Sequence, residues 1–527
     1  MRTRPSRTLS LLILVPLALA LAAPPALADT SATPSDAPSS ASPGGLAGTI
    51  GGVVDHLTHG EALQALDTAE DLLDQVTTPA PASAAAPGDL SAALSDLAAA
   101  LPSLHGADRT RAKAILARPT ADTTGVDIID YSYTEDTHLQ RRCSTHFCVT
   151  YTTAAHASQY AVNGVRLDNS ATYAEAGRDL SVLEHVYSVE TGTLGFRKPR
   201  SDGPGNGSFT NYDGRFDVFL TDIGAGGYYG YCVPDSGASA TSSAYCVLDN
   251  DFARSEFHTA PWRARDVTAA HEFFHAIQSA YRIGQPYWFS EGTAVWMEDI
   301  VYNSINDYLQ YVPASPIRRP LVPFTSNGGY ARYGAFAIFK FLSSHYHDRA
   351  FIRKMWQRVA AGYGPLGAMK SVLGTHHSGF KAAARTFGIW NTLRTHTYPE
   401  RKSYKPAGWW KKRTLKATRK STGKMHVRIK PLATAPVKLT PGKGLRKHAR
   451  IKIQVNGPGR GHTPVVRVQI RKRSGHVATK HFRLGRRGNG THTFDFNRRT
   501  VSSVVVTMTN ATYKGSAQRF MVKAKVK

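Results

Sequence analysis

The fold and the chemistry of this 527-residue chain are decided by the stretch Asp266–Asp299, DVTAAHEFFHAIQSAYRIGQPYWFSEGTAVWMED. Within it His271 and His275 are four residues apart, which at about 3.6 residues per turn leaves them roughly 40° apart on one helix face. Two imidazoles so placed can bind the same metal ion. Glu272 lies about 100° around the helix from His271, where it can reach a water on that ion without competing as a ligand. The pattern is HExxH.

This pattern predicts hydrolysis by a metal-activated water. Both histidines would bind the ion as neutral imidazoles, and the ion would lower the pKa of its bound water from about 15.7 toward about 7. Glu272 would take the proton as the water attacks a carbonyl and later deliver it to the leaving amine. The pentad alone is only moderately specific, and the alternative is an amphipathic helix whose histidines are merely exposed.

The third ligand decides the subtype. In the metzincin pattern a glycine and a third histidine follow soon after the pentad, but Gln278 and Tyr281 occupy those positions, so that subtype is excluded. The fragment Trp288-x-x-Glu291-Gly-x-Ala294 resembles the second motif of the gluzincins, the zinc peptidases with His, His and Glu as ligands. It is especially similar to the W-x-x-E-G-x-A element of the aminopeptidase N type. The resemblance implies that Glu291, on the next helix, completes a site for one Zn²⁺ per chain.

The match to aminopeptidase N is partial. The interval between the motifs is shorter than in those enzymes and no G-x-M-E-N motif precedes the helix, so aminopeptidase specificity is not implied. The chain is more similar to a group of secreted bacterial metalloproteases with a C-terminal β-domain, which combine DVFLTDIG, YGYC, DNDF, HEFFHAIQ and WFSEGTAVWMED in this order. This resemblance covers roughly residues 140 to 350. It implies a zincin-like fold and a zinc peptidase, with an endopeptidase expected, but no substrate.

Two supporting roles have candidate residues. Gluzincins often stabilise the oxyanion with a Tyr or His downstream of the third ligand. GGYARYGAF offers Tyr330 and Tyr333, of which Tyr333 is preferred, although either could be a packing aromatic. Glu298 lies seven residues after Glu291, about 20° away on the same helix face. It could orient a histidine ligand or be a plain surface charge. The small residues near Glu291 would let this helix approach the HExxH helix closely.

The segment LDNDF raises the question of calcium. It places Asp249, Asn250 and Asp251 in succession, and oxygen ligands are those that Ca²⁺ prefers. Three adjacent residues of this kind more often form a turn, and no further carboxylates follow at loop spacing. A turn is the expectation, and calcium is an unsupported alternative.

The N-terminus has the pattern of an export signal. Arginines precede the apolar run LSLLILVPLALALA, and ALAD offers a cleavage site after Ala28. Residues 29–123 are expected to be low-complexity and then helical, with a helical stretch from Leu90 to about Leu116. They form either a propeptide or a spacer. No cysteine precedes Cys143, so no cysteine in this region can cap a metal.

The cysteines fit an exported protein. Cys143 lies close to Cys148, and Cys232 lies close to Cys246, so each pair could close a short loop in an oxidising environment. Their spacings fit no zinc-ribbon pattern. No segment after the signal approaches the ~20 apolar residues that span a bilayer. The mature protein is expected to be secreted and extracellular, without a transmembrane anchor.

The fold class follows from the order of the patterns. Strand patterns precede helical ones in residues 124–400, which predicts an α+β domain, zincin-like by the resemblance. In residues 401–527, WWKKRTLKATRKSTGK is expected to be a basic linker. It is followed by short alternating segments between Gly, Asn, Pro and Ser, which predict an all-β, sandwich-like domain.

The positive charge is concentrated in this last part. The net charge of the chain is +27, but residues 401–527 carry 34 lysines and arginines against a single acidic residue, Asp495. Outside a cell, such a module is expected to bind an anionic polymer or a cell-wall surface. Two functions are therefore considered. The first is a secreted zinc peptidase with a surface-binding module; the second is a non-catalytic adhesion protein with a degenerate zincin domain, against which the intact Glu272 argues.

Overall fold

The computed structural model describes residues 57–77, 89–118 and 139–527 with short gaps, which are 154–160, 163–164, 167–169, 202–213, 225–226, 236–238, 255–256, 258, 394–396, 399, 401–402 and 405–406. The expected signal peptide (1–28), its cleavage site and the expected domain boundary near residue 124 lie outside the described residues. The described chain has a helical N-terminal region, a mixed α/β middle and a β-rich C-terminal region.

The middle of the chain is built on a five-stranded mixed sheet of order β1-β2-β5-β7-β6. Its parallel centre consists of β2 (Phe147–Thr152), β5 (Phe216–Thr221) and β7 (Ala244–Asp249), and the antiparallel edges are β1 (Leu139–Cys143) and β6 (Gly230–Pro234). The central strands are buried along almost their whole length, as expected for strands covered on both faces. The segments HFCVTYTT, RFDVFLTDI and SAYCVLDNDF contain β2, β5 and β7, in agreement with the strand patterns expected early in this part of the chain.

Two helices pack on one face of this sheet. They are α4 (Tyr173–Tyr187) and α5 (Pro261–Tyr281), which carries the HExxH pentad. A capping box between Thr172 and Glu175 begins α4. The helical path continues from α4 into a π-helical turn at Ser188–Thr193, which contains Gly192.

Further helices complete this core. α6 (Tyr287–Val301) packs along α5 as expected, whereas its Gly292 faces a third helix, α8 (Phe336–His345). A Cβ at Gly292 would lie 2.7 Å from Phe339 and 3.0 Å from Ala335, so the close contact is with the start of α8. Among the described residues, the other elements of this part are a two-stranded ladder, a 3₁₀ helix and five helices: β3 (Ala161–Val162), β4 (Val165–Arg166), Asp307–Ala314, α7 (Ala331–Gly334), α8 (Phe336–His345), α9 (Phe351–Ala360), α10 (Pro365–Thr375) and α11 (Phe380–Thr392).

The N-terminal helices cover the other face of the sheet. α1 (His59–Thr77), α2 (Leu90–Ala100) and α3 (Gly106–Ile115) bury their leucines and alanines against apolar residues of β5, β6 and β7. The stretch predicted as one helix from Leu90 to Leu116 is interrupted at Leu101–Ser103, a 3₁₀ turn containing Pro102, because proline removes a backbone donor and crowds the preceding turn. This region is therefore an integral layer of the fold.

The C-terminal region consists of two sheets that share one hydrophobic core, of orders β13-β12-β15-β10-β8 and β14-β11-β16-β9. Part of the stretch expected to be a linker is strand β8, which pairs in parallel with the unanticipated strand β10. The strands are β8 (Lys411–Leu415), β9 (Ser421–Ile429), β10 (Thr434–Pro441), β11 (Arg450–Asn456), β12 (Pro464–Lys472), β13 (Val477–His481), β14 (Asn489–Asp495), β15 (Val501–Asn510) and β16 (Gln518–Val526).

Both predicted disulfides are confirmed. Cys143 is bonded to Cys148 and Cys232 to Cys246, and each bond links paired positions of neighbouring antiparallel strands. This usage fits a protein made for an oxidising compartment. Within the described ranges, no helix is long and apolar enough to cross a bilayer.

Candidate metal centre

Two neighbouring helices bring together the residues that the sequence predicts as metal ligands. His271 and His275 project from α5, and Glu291 projects from α6; one donor atom from each lies within 4.8 Å of the others. The Nε2 atom of His271 is 3.1 Å from Oε2 of Glu291, and Nε2 of His275 is 3.3 Å from Oε1. Glu291 is 1% exposed. The carboxylate thus bridges the two imidazoles from one side.

The hydrogen bonds of this cluster are incomplete. Nε2 of His275 and Oε1 of Glu291 are buried and face each other at 3.3 Å without a well-aligned hydrogen bond, and the carboxyl of Asp89 also approaches Glu291. Buried polar atoms in folded proteins normally have partners, so atoms left over in a convergent His, His, Glu set fit a bound cation. Nitrogen from two histidines and oxygen from one carboxylate is a donor set that Zn²⁺ accepts.

The far nitrogen of each histidine is held by its own acceptor. Nδ1 of His271 is 2.6 Å from Oε1 of Glu298, and Nδ1 of His275 is 3.0 Å from Oε1 of Gln278. The amide of Gln278 is fixed in turn, since it donates to the carbonyl of Ser290 at 2.9 Å. Acceptors at Nδ1 favour the tautomer with a proton there, which leaves Nε2 free to bind a metal.

Of these two partners, the sequence indicated Glu298 as a candidate, while Gln278 entered only as a reason to exclude the metzincin pattern. A signal for Gln278 was present. It lies three residues after His275, and residues at this spacing are neighbours on a helix surface.

Glu272, the expected general base, lies buried beside the cluster. Its Oε2 accepts a hydrogen bond of 3.1 Å from the hydroxyl of Ser91. Strand β6 passes close to this side chain. A Cβ at Gly230 would lie only 2.8 Å from Cγ of Glu272. Burial raises the pKa of Glu272, against the lowering effect of His271 and His275. A carboxylate with a raised pKa is suited to accept and return a proton near neutral pH.

The electrostatics of the cluster also favour a cation. Burial alone would raise the pKa of Glu291, but the charge of His275 and the contacts with both histidines hold it far below its ordinary value. Burial raises the pKa of Glu298 to about 7, opposed by His271. Burial, together with the negative charge of Glu291, raises the pKa of Asp89 to about 8. Several buried carboxylates thus compete for the positive charge that two histidines can supply.

Two acidic residues of this environment were not anticipated. Asp89, at the start of α2, is 3% exposed and lies against Glu291. Glu190, in the π-helical turn, is completely buried near His271, and neither of its carboxylate oxygens has a hydrogen-bond partner in the described part of the chain. Nothing in the local sequence indicated either residue, since both reach the site through long-range packing.

The candidate tyrosines line a cleft beside the cluster. Tyr330 and Tyr333 border it together with Tyr311, His271 and Glu272. The ring of Tyr333 is 6.4 Å from that of His271 and stacks on Tyr311, whereas Tyr330 is 47% exposed. Tyr333 is therefore nearer to the histidines and more firmly held, which keeps it the preferred candidate for oxyanion stabilisation.

The LDNDF segment forms a turn. The carboxylate of Asp249 accepts hydrogen bonds from the backbone N–H groups of Ile223, Gly224 and Phe252. The amide of Asn250 donates to the carbonyl of Ser170. These side chains are used in fixing the chain, and nothing in their arrangement supports the calcium alternative.

Comparisons with known proteins add no assignment. No protein-family model matches the chain, and no curated protein matches it. Among solved structures it is weakly similar to a family GH115 4-O-methyl-α-glucuronidase with specificity for decorated arabinogalactans. That match has 10% identity and a TM-score of 0.14, and it covers 69% of this chain and 40% of that chain. A similarity this low carries no argument about fold or activity.

Proposed function

We propose that this protein is a secreted zinc-dependent peptidase, an endopeptidase of the gluzincin type with a zincin-like catalytic domain. The observation that carries the proposal is the convergence of His271, His275 and Glu291 within 4.8 Å, with Glu272 of the same HExxH helix beside them. Three protein ligands leave a fourth position for water or substrate, as in catalytic rather than structural zinc sites.

The residues divide the chemistry among them. When bound, Zn²⁺ would supply an acidified water and polarise the substrate carbonyl. Glu272 would hold the proton removed from that water and return it to the leaving amine. Tyr333 would donate a hydrogen bond from its hydroxyl to the developing oxyanion. Glu298 and Gln278 would keep the imidazoles oriented with Nε2 toward the ion.

The cleft supports a chain-like substrate. Its lining includes Glu272, the proposed general base, and Gly230, the first residue of the edge strand β6. An edge strand offers unpaired backbone groups with which an extended peptide can pair. Such pairing recognises the peptide backbone and needs no free terminus, which favours an endopeptidase.

The β-rich, sandwich-like region is proposed to bind an anionic polymer at the cell surface. In its second sheet, like charges face each other across strands: Lys424 opposite Lys523, Arg428 opposite Arg519, and Lys452 opposite Lys525. Such pairs destabilise a sheet, so a sequence selected for stability alone would avoid them. A partner with repeated negative charge would remove the repulsion.

The test is the variant Glu272→Ala in the purified protein. It should keep about one zinc per chain, because Glu272 is not a ligand, while turnover of a peptide substrate falls by about 10²–10⁴-fold. Asp67→Ala, on the exposed side of α1, is the control and should retain full turnover. Zinc-free protein without peptidase activity would favour the alternative, a non-catalytic adhesion protein with a degenerate zincin domain.

A further inference from the structure

The N-terminal layer contributes one side chain to the proposed general base. Ser91, the second residue of α2, is 7% exposed, and its hydroxyl oxygen lies 3.1 Å from Oε2 of Glu272, 181 positions later in the chain. Residues 29–123 were open to interpretation as a propeptide or a spacer. This contact shows that part of them reaches the HExxH helix at hydrogen-bonding distance.

The donor and acceptor roles of the Ser91 hydroxyl are fixed by its two partners. Its oxygen accepts the backbone N–H of Cys232 at 3.0 Å. A serine hydroxyl carries a single proton, and an ionised Glu272 can only accept, so this proton is directed to Oε2. Hydrogen bonds from a hydroxyl to a carboxylate are stronger than those between neutral groups. Ser91 therefore links the general base to the backbone of β6.

The helix that carries Ser91 is fixed on both sides of this residue. Oδ1 of Asp89 accepts the N–H of Ala92 at 2.9 Å and caps the first turn of α2. One turn later, the hydroxyl of Ser95 accepts the N–H of Gly284 at 3.0 Å, just beyond the end of α5. α2 also packs against β6. A side chain held in this way can keep its partner within the roughly 0.5 Å that a catalytic group requires.

The bond between Ser91 and Glu272 is compatible with catalysis. Ser91 engages Oε2, and a base needs only its other oxygen, Oε1, to take a proton from the attacking water. Among the described residues that line the cleft, β6 is represented by Gly230 and not by Cys232, so the anchor of Ser91 leaves the cleft open. A carboxylate held at one oxygen keeps the other aimed in a constant direction, which a freely rotating carboxylate does not.

We propose that Ser91 is a positioning residue of the peptidase: its hydroxyl, anchored on the N–H of Cys232, orients the carboxylate of Glu272 for proton transfer. This inference rests on the proposed function. It makes the N-terminal layer a working part of the mature catalytic domain, so the active secreted form should retain Ser91.

The test is a double-mutant cycle on the purified full-length protein, with a fluorogenic peptide as the probe. Ser91→Ala should lower kcat by about 10–100-fold, since a catalytic group misplaced by about 1 Å can cost about 10²-fold. KM and zinc content should not change, because Ser91 acts only on the base. In the Glu272→Ala background the same substitution should leave the residual kcat unaltered, because residues that act through one another are not additive.

Two variants and one direct measurement serve as controls. Ser95→Ala is the matched control, since it removes a second hydroxyl of α2 whose partner is Gly284, and it should keep the kcat of the unaltered chain. Ser91→Thr retains a hydroxyl and should regain most of the lost kcat. N-terminal sequencing of the active secreted protein needs no variant, and the sequence should begin before Ser91.

Other results would overturn the inference. An unaltered kcat in Ser91→Ala would show that the contact is dispensable, and a higher kcat would show that it inhibits the base. Equal losses with and without Glu272 would mean a structural role, and an active form that begins after Ser91 would exclude the N-terminal layer from catalysis. The proposed function would survive each of these results, whereas full turnover by Glu272→Ala alone would contradict it.

Discussion

Oε1 of Glu298 lies 2.6 Å from Nδ1 of His271, and Oε2 of Glu291 lies 3.1 Å from Nε2 of the same ring. The two glutamates are seven residues apart and lie on the same face of α6. The imidazole is therefore clamped between two carboxylates of α6. Of these two carboxylates, that of Glu291 also faces His275, because its Oε1 lies 3.3 Å from Nε2 of His275. This arrangement assigns different roles to two glutamates that the helix repeat places on one face.

The first prediction concerns these two glutamates. Glu291→Ala should cost most of the zinc affinity, because it removes a ligand from a three-residue site. Glu298→Ala should keep zinc at saturating concentration but lower affinity by about 10–100-fold and slow turnover, because it only frees the ring of His271 to rotate.

Zinc content after dialysis, measured for both purified variants, decides the matter. Glu298→Gln is the matched variant, since its amide oxygen can still accept from Nδ1, and it should lose less than Glu298→Ala. If the Glu298→Ala protein contained no zinc and the Glu291→Ala protein retained it, Glu298 would be the ligand and the assignment of the two roles would be reversed.

A second prediction concerns packing behind the site. Gly292→Ala should destabilise the protein by about 1–3 kcal/mol, as overpacked cores do, because the new methyl group would meet Phe339 at 2.7 Å. Gly374→Ala, in α10 with no atom within 4 Å of the added Cβ, should instead stabilise by about 0.4–1 kcal/mol. Thermal unfolding of the two variants measures these changes in stability. Equal shifts in Tm would show that α8 moves aside for the methyl group added at Gly292.

Glu190 provides a pH-dependent prediction. Burial raises its pKa well above the ordinary value. A carboxyl whose folded pKa exceeds its unfolded value of about 4.3 supports the fold below that pH and weakens it as pH rises, because the folded state binds the extra proton. Glu190→Gln cannot ionise, so relative to the unaltered chain it should gain stability between pH 4 and pH 8.

Denaturant unfolding of the metal-free proteins at both pH values measures this difference. Asp67→Asn, on the exposed side of α1, is the control and should change little with pH relative to the unaltered chain. If the Glu190→Gln protein instead became less stable than the unaltered chain as pH rises, the buried carboxylate would be stabilised by its surroundings.

The facing lysines of the β-rich region yield a prediction in which stability and binding move in opposite directions. Lys525→Glu would replace the repulsion with Lys452 by attraction and should stabilise the protein by about 0.2–1 kcal/mol. The same change should weaken retention on an anionic matrix, and added salt should release both proteins because the attraction between exposed charges is screened.

Lys370→Glu is the matched control, because it changes the net charge by the same amount at an exposed position of α10. It should elute at nearly the same salt concentration as the unaltered chain if binding is local to the β-rich region. Equal weakening by both substitutions would mean that net charge alone, and no particular surface, governs the attraction.

The sequence by itself determined those features that depend on short-range periodicity. Residues four apart share a helix face, so His271 and His275 had to lie together once α5 formed. Alternation of apolar and polar residues identified most strands of the C-terminal sheets, and short separations paired the cysteines. It did not identify β8 or β10, because β8 is almost uniformly polar and basic and β10 contains two prolines, so neither alternates clearly.

Only the tertiary structure decided which distant groups complete the cluster. Helix geometry left Glu291 and Glu298 equivalent, and the crossing of α6 over α5 separated them by aiming one at Nε2 and the other at Nδ1. Asp89, Ser91 and Glu190 belong to other layers and have no local pattern that marks them. The physical reason is that hydrogen bonds and charge contacts depend on distance in space, and chain segments some two hundred residues apart acquire that proximity only when their apolar faces are buried together.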